Sequence, residues 1–514
     1  MEKTDDINEN FSKSSVHSDA TNNEQEETDV QPSTSNSFSK TCIDLKTSGK
    51  NEKSPLISEL DSESNIDDYI KVMVPKEKMA EKLAASRPYN YFLTCITSSP
   101  ATHNEPLSIT FQEIFDPSLG DLESSVQINF VVEENWLLGQ YYFAGHIDKP
   151  LLILYGWLSG TLPSISEKHP QISAHFIKPS YEIGIHHTKM MLLAYKDGSM
   201  RVVVSTANLY EDDWHNRTQG LWISEKLDPL PHSSEKKFGE SPTKFRNDLL
   251  IYLSCYKLPQ LQPWLTRIRK TNFASVNVFL VTSIPGIYNQ TSTGYPHGHG
   301  RIAYLLAKHS AKINNDSPVV AQASSLGNFG RNKQDWLCGE FLKSFCQGTK
   351  IDQLEENPEL FIIYPSHNNV ENSHDGLLGG GCLPYQNRVH KKQRWLNHFL
   401  YQWRADRRHR SQAMPHIKTY CRWRDNKLFW FILTSANLSK SGWGFMTAEN
   451  KKRVIRNINY EAGVVFFPKF VTKTHYFSMD ESDSSTLVFP LLYDIPLTKY
   501  TPEDNPFVID VLST

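Results

Sequence analysis

One segment of this chain occurs twice, and the repeat limits what the chain can fold into. Gly184-Ile185-His186-His187-Thr188-Lys189 leads into apolar Met190 to Leu193, a turn at Asp197-Gly198, and Arg201 to Ser205 running into Thr206-Ala207-Asn208-Leu209. Downstream, Pro415-His416-Ile417-Lys418 leads into an apolar run from Leu428 to Leu433 and then Thr434-Ser435-Ala436-Asn437-Leu438. Each Lys precedes its Asn by 19 residues, the paired His, Lys and Asn are all 229 positions apart, and Trp214 and Trp443 follow their Asn by six. A third triplet, His390-Lys391-Lys392, is an internal control: 19 residues beyond Lys392 stands Ser411, so the triplet alone carries no weight. A long pattern repeated in register marks a duplicated structural unit. The expectation is an α/β chain of two similar α-β-α sandwich domains related by a pseudo-twofold axis, residues 81–275 and 276–514, behind a disordered acidic Ser/Thr-rich tail, residues 1–80.

Composition separates tail from body. The net charge of -3 hides a tail of 14 acidic and 6 basic residues up to residue 65, which leaves the remainder at +5. The tail is poor in aromatics and cannot bury enough apolar surface to offset its ordering entropy. A mildly basic body permits a phosphate-bearing partner. Seven cysteines without a CxxC pair read as free thiols in a reducing compartment. The N-terminus lacks the basic and apolar regions of a signal peptide, and no apolar run reaches the length of a membrane span. These features predict a soluble intracellular protein.

Local patterns place the elements. Leu151 to Tyr155 reads as a buried strand, His175 to Lys178 as another, and the first His-x-Lys segment as a third. Ser241-Pro242 predicts a helix start, with Phe245, Leu249, Leu253 and Tyr256 facing the core. A second unit begins near residue 276, with Val276 to Val281 as a strand. Pro318 to Gln322 leads into a Ser/Gly loop, Ala323 to Gly330, and a helix carrying Trp336, Phe341 and Phe345; such a loop is either a plain connection or an anion cradle of backbone N–H groups. Lys391, Lys392 and Arg394 open a predicted helix with Trp395, Phe399 and Trp403 on one face. The following Arg404, Arg407, Arg408 and Arg410 read as its solvated basic end ahead of a nucleic-acid stripe. His297-Gly298-His299 has no Cys or carboxylate at ligand spacing and reads as a loop, not a metal site.

Alternate residues of a strand share a face, so His187 with Lys189, and His416 with Lys418, can aim into one cleft between the two units. That set has the parts for phosphoryl transfer without a metal. Two ammonium groups and the amides of Asn208 and Asn437 can hold the non-bridging oxygens, one imidazole can attack phosphorus, and the other can move the proton. No cofactor is implied.

The arrangement resembles the phospholipase D superfamily, and at finer grain the tyrosyl-DNA phosphodiesterase type 1 family. The resemblance rests on His187-Thr188-Lys189 with Asn208, on Asp213-Trp214-His215 into Thr218-Gln219-Gly220, and on Ala413-Met414-Pro415-His416-Ile417-Lys418-Thr419-Tyr420. Thr434 to Lys440 and Tyr460-Glu461 complete it. Phospholipases of the superfamily carry Asp five residues after each Lys; Ala194 and Trp423 stand there, which favours the DNA-repair branch. The resemblance implies His187 as nucleophile, His416 as general acid and then base, Glu461 behind His187 and Gln219 behind His416. It reads Glu461 as an anionic partner and Gln219 as a neutral one. It also implies contacts to the DNA backbone from Ser324, Ser325, Lys392 and Ser439, and to the peptide side from Phe130. Ile183 stands where a relative has a base-stacking aromatic, and Asn328 where one has Ser.

The implied function is that of a monomeric DNA-repair enzyme, acting as a 3' exonuclease-type phosphodiesterase in single-strand break repair. It clears topoisomerase I-derived tyrosyl peptides and other blocks from single-stranded or duplex DNA 3' ends. The implied setting is the nucleus, with the cytoplasm second, no membrane, and a tail that docks repair partners. A lipid phosphodiesterase and a catalytically inactive DNA-end scaffold are the alternatives; the six intact His, Lys and Asn residues speak against the scaffold.

Overall fold

The computed structural model describes residues 65–513, apart from 159, 182, 232–237, 350–357 and 483–486. Two eight-stranded sheets form its frame. The first contains β1 (Tyr91–Thr94), β2 (Ser108–Ile109), β3 (Leu122–Asn129), β4 (Leu151–Tyr155), β5 (Ile172–Phe176), β6 (Met190–Tyr195), β7 (Met200–Ser205) and, past the short β8 (Arg217–Thr218), β9 (Gly220–Ile223). The second opens with β10 (Phe279–Ser283); past β11 (Gly286–Tyr288) come β12 (Val319–Gln322), β13 (Leu360–Ile363) and β14 (Leu400–Tyr401). Past β15 (Met414–Pro415) it continues with β16 (Thr419–Arg424) and β17 (Lys427–Thr434). A hairpin of β18 (Phe445–Glu449) and β19 (Lys452–Asn457) precedes β20 (Glu461–Phe466) and β21 (Phe477–Ser478).

The spatial orders correspond strand for strand: β1-β9-β7-β6-β3-β4-β5 in the first sheet and β10-β20-β17-β16-β12-β13-β14 in the second. In both, the first four junctions are antiparallel and the last two parallel. The constant offset between the two copies of the motif is therefore the imprint of one sheet built twice.

The apolar runs follow from burial on both faces. In β6 and β7 every residue is buried, and alternation divides them. Met190, Leu192, Val202 and Val204 join a core that continues into the second half. Met191, Leu193 and Val203 face a separate core built on Trp136, Leu137 and Leu138 of the helix Glu134–Phe143. The halves meet closely. The Tyr91 ring lies 5.6 Å from that of Phe431, and a Cβ on Gly220 would fall 2.5 Å from the Ile417 Cδ1 and 2.7 Å from a Leu433 methyl, so those buried side chains would have to shift to admit one. Arg410, fully buried, crosses the junction to Glu105, to the Thr94 carbonyl at 3.1 Å and to the Ser108 hydroxyl at 2.6 Å.

Several sequence expectations change. The His-x-Lys residues do not lie in strands but immediately before β6 and β16, where the chain is free to turn toward the cleft. The helix predicted at Ser241 begins at Phe245, with the Ser241 hydroxyl accepting from the Phe245 N–H at 2.7 Å. The long helix predicted from Lys391 stops at Lys392, because Gln393 leaves helical geometry and its amide binds the Gly327 carbonyl and the Phe329 N–H instead. A 3-10 turn, Arg394–Phe399, follows. Arg404, Arg407 and Arg408 pair with Asp406, Asp494 and Glu481, so that cluster is neutralised within the fold. His297-Gly298-His299 opens a helix, Gly298–His309, rather than a loop, and its two rings bind Thr282 and Ser344. Residues 65–80, counted with the tail on composition, pack on the first half: Gln140 donates to the Tyr69 carbonyl at 2.7 Å, and Met79 is buried. Residues 1–64 lie outside the described residues. Among the described residues no helix is long and apolar enough to cross a membrane.

Candidate active site

The two His-x-Lys segments meet where the halves cross. The His187 N–H donates to the Tyr460 carbonyl at 2.9 Å, and the next residue, Glu461, places Oε2 2.9 Å from His187 Nδ1. The His416 N–H donates to the Thr218 carbonyl at 3.0 Å, and the next residue, Gln219, places Nε2 3.0 Å from His416 Nδ1. Two consecutive residues of one half thus hold the backbone and ring of the histidine belonging to the other. Neither half can build a site alone. With Nδ1 occupied, Nε2 is the working nitrogen of both rings.

Gln219 and Glu461 are structural counterparts, one just before β9 and the other opening β20, strands that occupy the same place in the two sheets. The repeated hydroxyl residues Thr206 and Ser435 hold them: Thr206 Oγ1 donates to Gln219 Oε1 at 2.8 Å, and Ser435 Oγ donates to Glu461 Oε2 at 2.5 Å. The spacing conceals this match. Gln219 follows Trp214 by 5 residues, whereas Glu461 follows Trp443 by 18, because the β18–β19 hairpin intervenes.

Burial dominates the electrostatics. Lys189 and Lys418 are 0% exposed and the two histidines 7%. Burial pushes His187 down to about 4 and His416 to about 3, so both are neutral in the empty site at neutral pH. Burial lowers Lys418 to about 8, and pushes Lys189 well below its ordinary value with Lys418 adding to the effect. Each ammonium donates to the carbonyl of its own histidine, Lys189 at 3.0 Å. A site this short of stabilised positive charge is matched to an anion that restores it.

The asparagines are held by their carbonyl ends. Asn437 Oδ1 accepts from the Ser324 N–H and hydroxyl and from the Ser325 N–H at 3.0–3.2 Å, and Asn208 Oδ1 accepts from the Val131 N–H at 3.4 Å. This changes the reading of the Ser/Gly loop. Its N–H groups at Ser324 and Ser325 are given to Asn437 rather than presented to an anion, and Ser324 is fully buried. Ser439 caps its own short helix, accepting from the Gly442 N–H at 3.0 Å, and packs on Gly327 of that loop. Lys392 is exposed beside Gln393, which ties it to the same loop. Phe130 lines the site, its ring 5.3 Å from that of His187 and 5.4 Å from Lys189 Nζ. Ile183 is exposed.

Three features escaped sequence reasoning. Asp213 Oδ2 lies 3.1 Å from His416 Nδ1, so the expected contrast between an anionic and a neutral partner is incomplete: both rings face a carboxylate. Asn459 donates to Glu461 Oε1 at 3.0 Å and accepts from the Ile185 N–H at 3.2 Å, tying Glu461 to the segment it serves. Behind His187, the buried His186 gives Nδ1–H to the Asn129 carbonyl at 3.0 Å. Its Nε2 must then accept from Tyr256, which contacts Tyr252, which contacts Thr188. The pair His186-His187 was visible in the sequence, but Tyr252 and Tyr256 come from a segment much further along the chain.

Residues 90–501 match the family model described as tyrosyl-DNA phosphodiesterase. The chain belongs to that family. The tyrosyl-DNA phosphodiesterase 1 of Drosophila melanogaster is 50% identical over 96% of this chain and 89% of its own length. A probable tyrosyl-DNA phosphodiesterase of Caenorhabditis elegans is 30% identical over 77% of this chain and 84% of its own. The crystal structure of the yeast tyrosyl-DNA phosphodiesterase shares the fold, with a TM-score of 0.59 at 20% identity over 82% of this chain and 99% of the yeast one. As a tyrosyl-DNA phosphodiesterase the protein is a phosphoric diester hydrolase with a phospholipase D-like α/β architecture, and every paired residue of the cleft falls within the matched span.

Proposed function

We propose that this enzyme repairs DNA by hydrolysing the 3'-phosphotyrosyl bond left by topoisomerase I, and other 3' blocks, through a covalent phosphohistidine and without a metal ion. The crossed holding of the two histidines carries the reading, because it gives one cleft two imidazoles whose Nε2 atoms are both available. The Nε2 lone pair of neutral His187 attacks phosphorus, and the bond from phosphorus to the tyrosyl oxygen breaks. His416, protonated as the anionic phosphate enters, gives its Nε2 proton to that oxygen. His416, now neutral, takes a proton from water, whose oxygen attacks phosphorus. The P–N bond breaks with its electron pair returning to His187, leaving a 3'-phosphate. Lys189, Lys418 and the amide nitrogens of Asn208 and Asn437 balance charge on the non-bridging oxygens, the work a divalent cation does elsewhere. Glu461 stabilises the imidazolium that attack creates on His187. Phenol, with a pKa of about 10, leaves readily once given a proton.

Phe130 lies on the His187 side, where the peptide is held. Lys392, Ser325 and Ser439 border the Asn437 side and meet the DNA backbone, with Ser324 acting through Asn437. The substrate places the enzyme's work in the nucleus. A 3'-phosphotyrosyl oligonucleotide should be cleaved in EDTA at the rate seen without it. Strict dependence on added Mg²⁺ would sink the mechanism, binding without turnover would favour an inactive scaffold, and turnover of phospholipid alone a lipase.

A further inference from the structure

The second histidine has a carboxylate partner for which the repeat has no counterpart. Asp213 stands five residues after Asn208, and the equivalent position after Asn437 is Gly442, where a Cβ would press to 2.9 Å from the Asn437 carbonyl. Asp213 is completely buried. Its Oδ2 accepts from the Asn208 N–H at 2.6 Å and faces His416 Nδ1 at 3.1 Å; its Oδ1 has no hydrogen-bond partner among the described residues. Glu461 differs, since Ser435, Asn459 and His187 share its two oxygens. A buried carboxylate short of donors pulls harder on the ring beside it than one already satisfied.

We propose that Asp213 is the positioning residue for proton transfer: it holds His416 with the proton on Nδ1, directs Nε2 into the cleft, and stabilises the imidazolium in both chemical steps. The proposal rests on His416 being the acid and base. His416 Nδ1 lies within reach of both the Gln219 amide and Asp213, and one nitrogen cannot accept from the first while donating to the second. If Nδ1 were unprotonated, its lone pair would face a carboxylate at 3.1 Å. With a proton there, the ring donates to Asp213. Gln219 then meets it through its oxygen after a half-turn of the amide, with Thr206 accepting in exchange. The charged groups around the ring support this. Burial disfavours ionisation of Asp213, yet His416, the Asn208 N–H and Lys418 keep its pKa below the usual carboxylate range. Burial lowers His416, Lys418 and Lys189 lower it further, and Asp213 works against all three. Cys382 also lies within the field of Asp213 and Lys418, its thiol held up by burial at about 12 and so neutral.

The test uses two oligonucleotides in single-turnover cleavage, one ending in 3'-phosphotyrosine and one in a 3'-(4-nitrophenyl) phosphate, whose phenol leaves without a proton. Asp213→Asn should slow tyrosine release about 10–100-fold but nitrophenol release less than about threefold, and should slow breakdown of the covalent adduct from either substrate. Asp213→Glu should recover part of the loss. An equal loss on both substrates, or none, overturns the proposal and leaves the proposed function standing. Failure of the wild type on both substrates overturns the proposed function instead. Should Asp213→Asn not fold, the wild type still decides. In ¹⁵N-histidine spectra, the signals lost in His416→Asn should report a proton on Nδ1 at neutral pH; an Nε2–H tautomer refutes the idea.

Discussion

The two halves share one sheet topology, yet the surroundings of their histidines differ. His187 has Glu461, whose oxygens are filled by Ser435 and Asn459 as well as by the ring, and it is backed by the His186, Tyr256 and Tyr252 chain. His416 has Gln219 and the less satisfied Asp213, and at the position equivalent to His186 it has Pro415. Burial lowers both lysines below their ordinary values, and Lys418 adds to the effect on Lys189. Duplication supplied a symmetric scaffold; under the proposed mechanism, the different surroundings of the rings would suit one half to bond formation at phosphorus and the other to proton movement.

The strongest way to break this comparison is to remove each histidine. His187→Ala should lower cleavage about 10³-fold or more with no adduct, whereas His416→Asn should let a phosphohistidine-linked oligonucleotide accumulate on denaturing gels. An adduct only in the His187 variant would reverse the roles. Glu461→Gln comes next. It keeps a hydrogen-bonding group beside His187 but removes the charge that stabilises its imidazolium, so cleavage should fall about 10–100-fold on tyrosyl and nitrophenyl substrates alike. A loss confined to the tyrosyl substrate would assign Glu461 to proton transfer.

The smallest effect is a proton count. His416 has a depressed pKa in the empty site and gains its proton beside a bound anion, while His187 stays neutral and Lys418 is charged below about pH 8. Binding a 3'-phosphoryl oligonucleotide at pH 7 should therefore take up about one proton, rising as pH passes 8 and Lys418 joins His416. Calorimetry in buffers of different ionisation enthalpy reads this directly. Zero uptake would mean that His416 is already charged in the empty site.

Much of this was legible in the sequence because it is local. The apolar run Leu151–Tyr155 is a strand end to end, since burial on both faces leaves an unbroken apolar signature. His187, Lys189, Asn208 and their partners in the second copy stand out because a duplicated unit keeps its internal spacing. Tertiary structure decided what depends on groups far apart in sequence. The helix expected through Trp403 ends at Lys392 because a loop much earlier in the chain claims the Gln393 amide. The backbone N–H groups of Ser324 and Ser325 go to the sequence-distant Asn437. The equivalence of Gln219 and Glu461 is hidden by an inserted hairpin and appears only when the two sheet orders are laid side by side. The charge beside His416 could not be read at all, because Asp213 in sequence is one acid in Glu211-Asp212-Asp213, and only the crossing of the two halves buries that one against the ring. Spacing reports which side chains can share a face, whereas burial and partners, which set their chemistry, are fixed when distant strands pack.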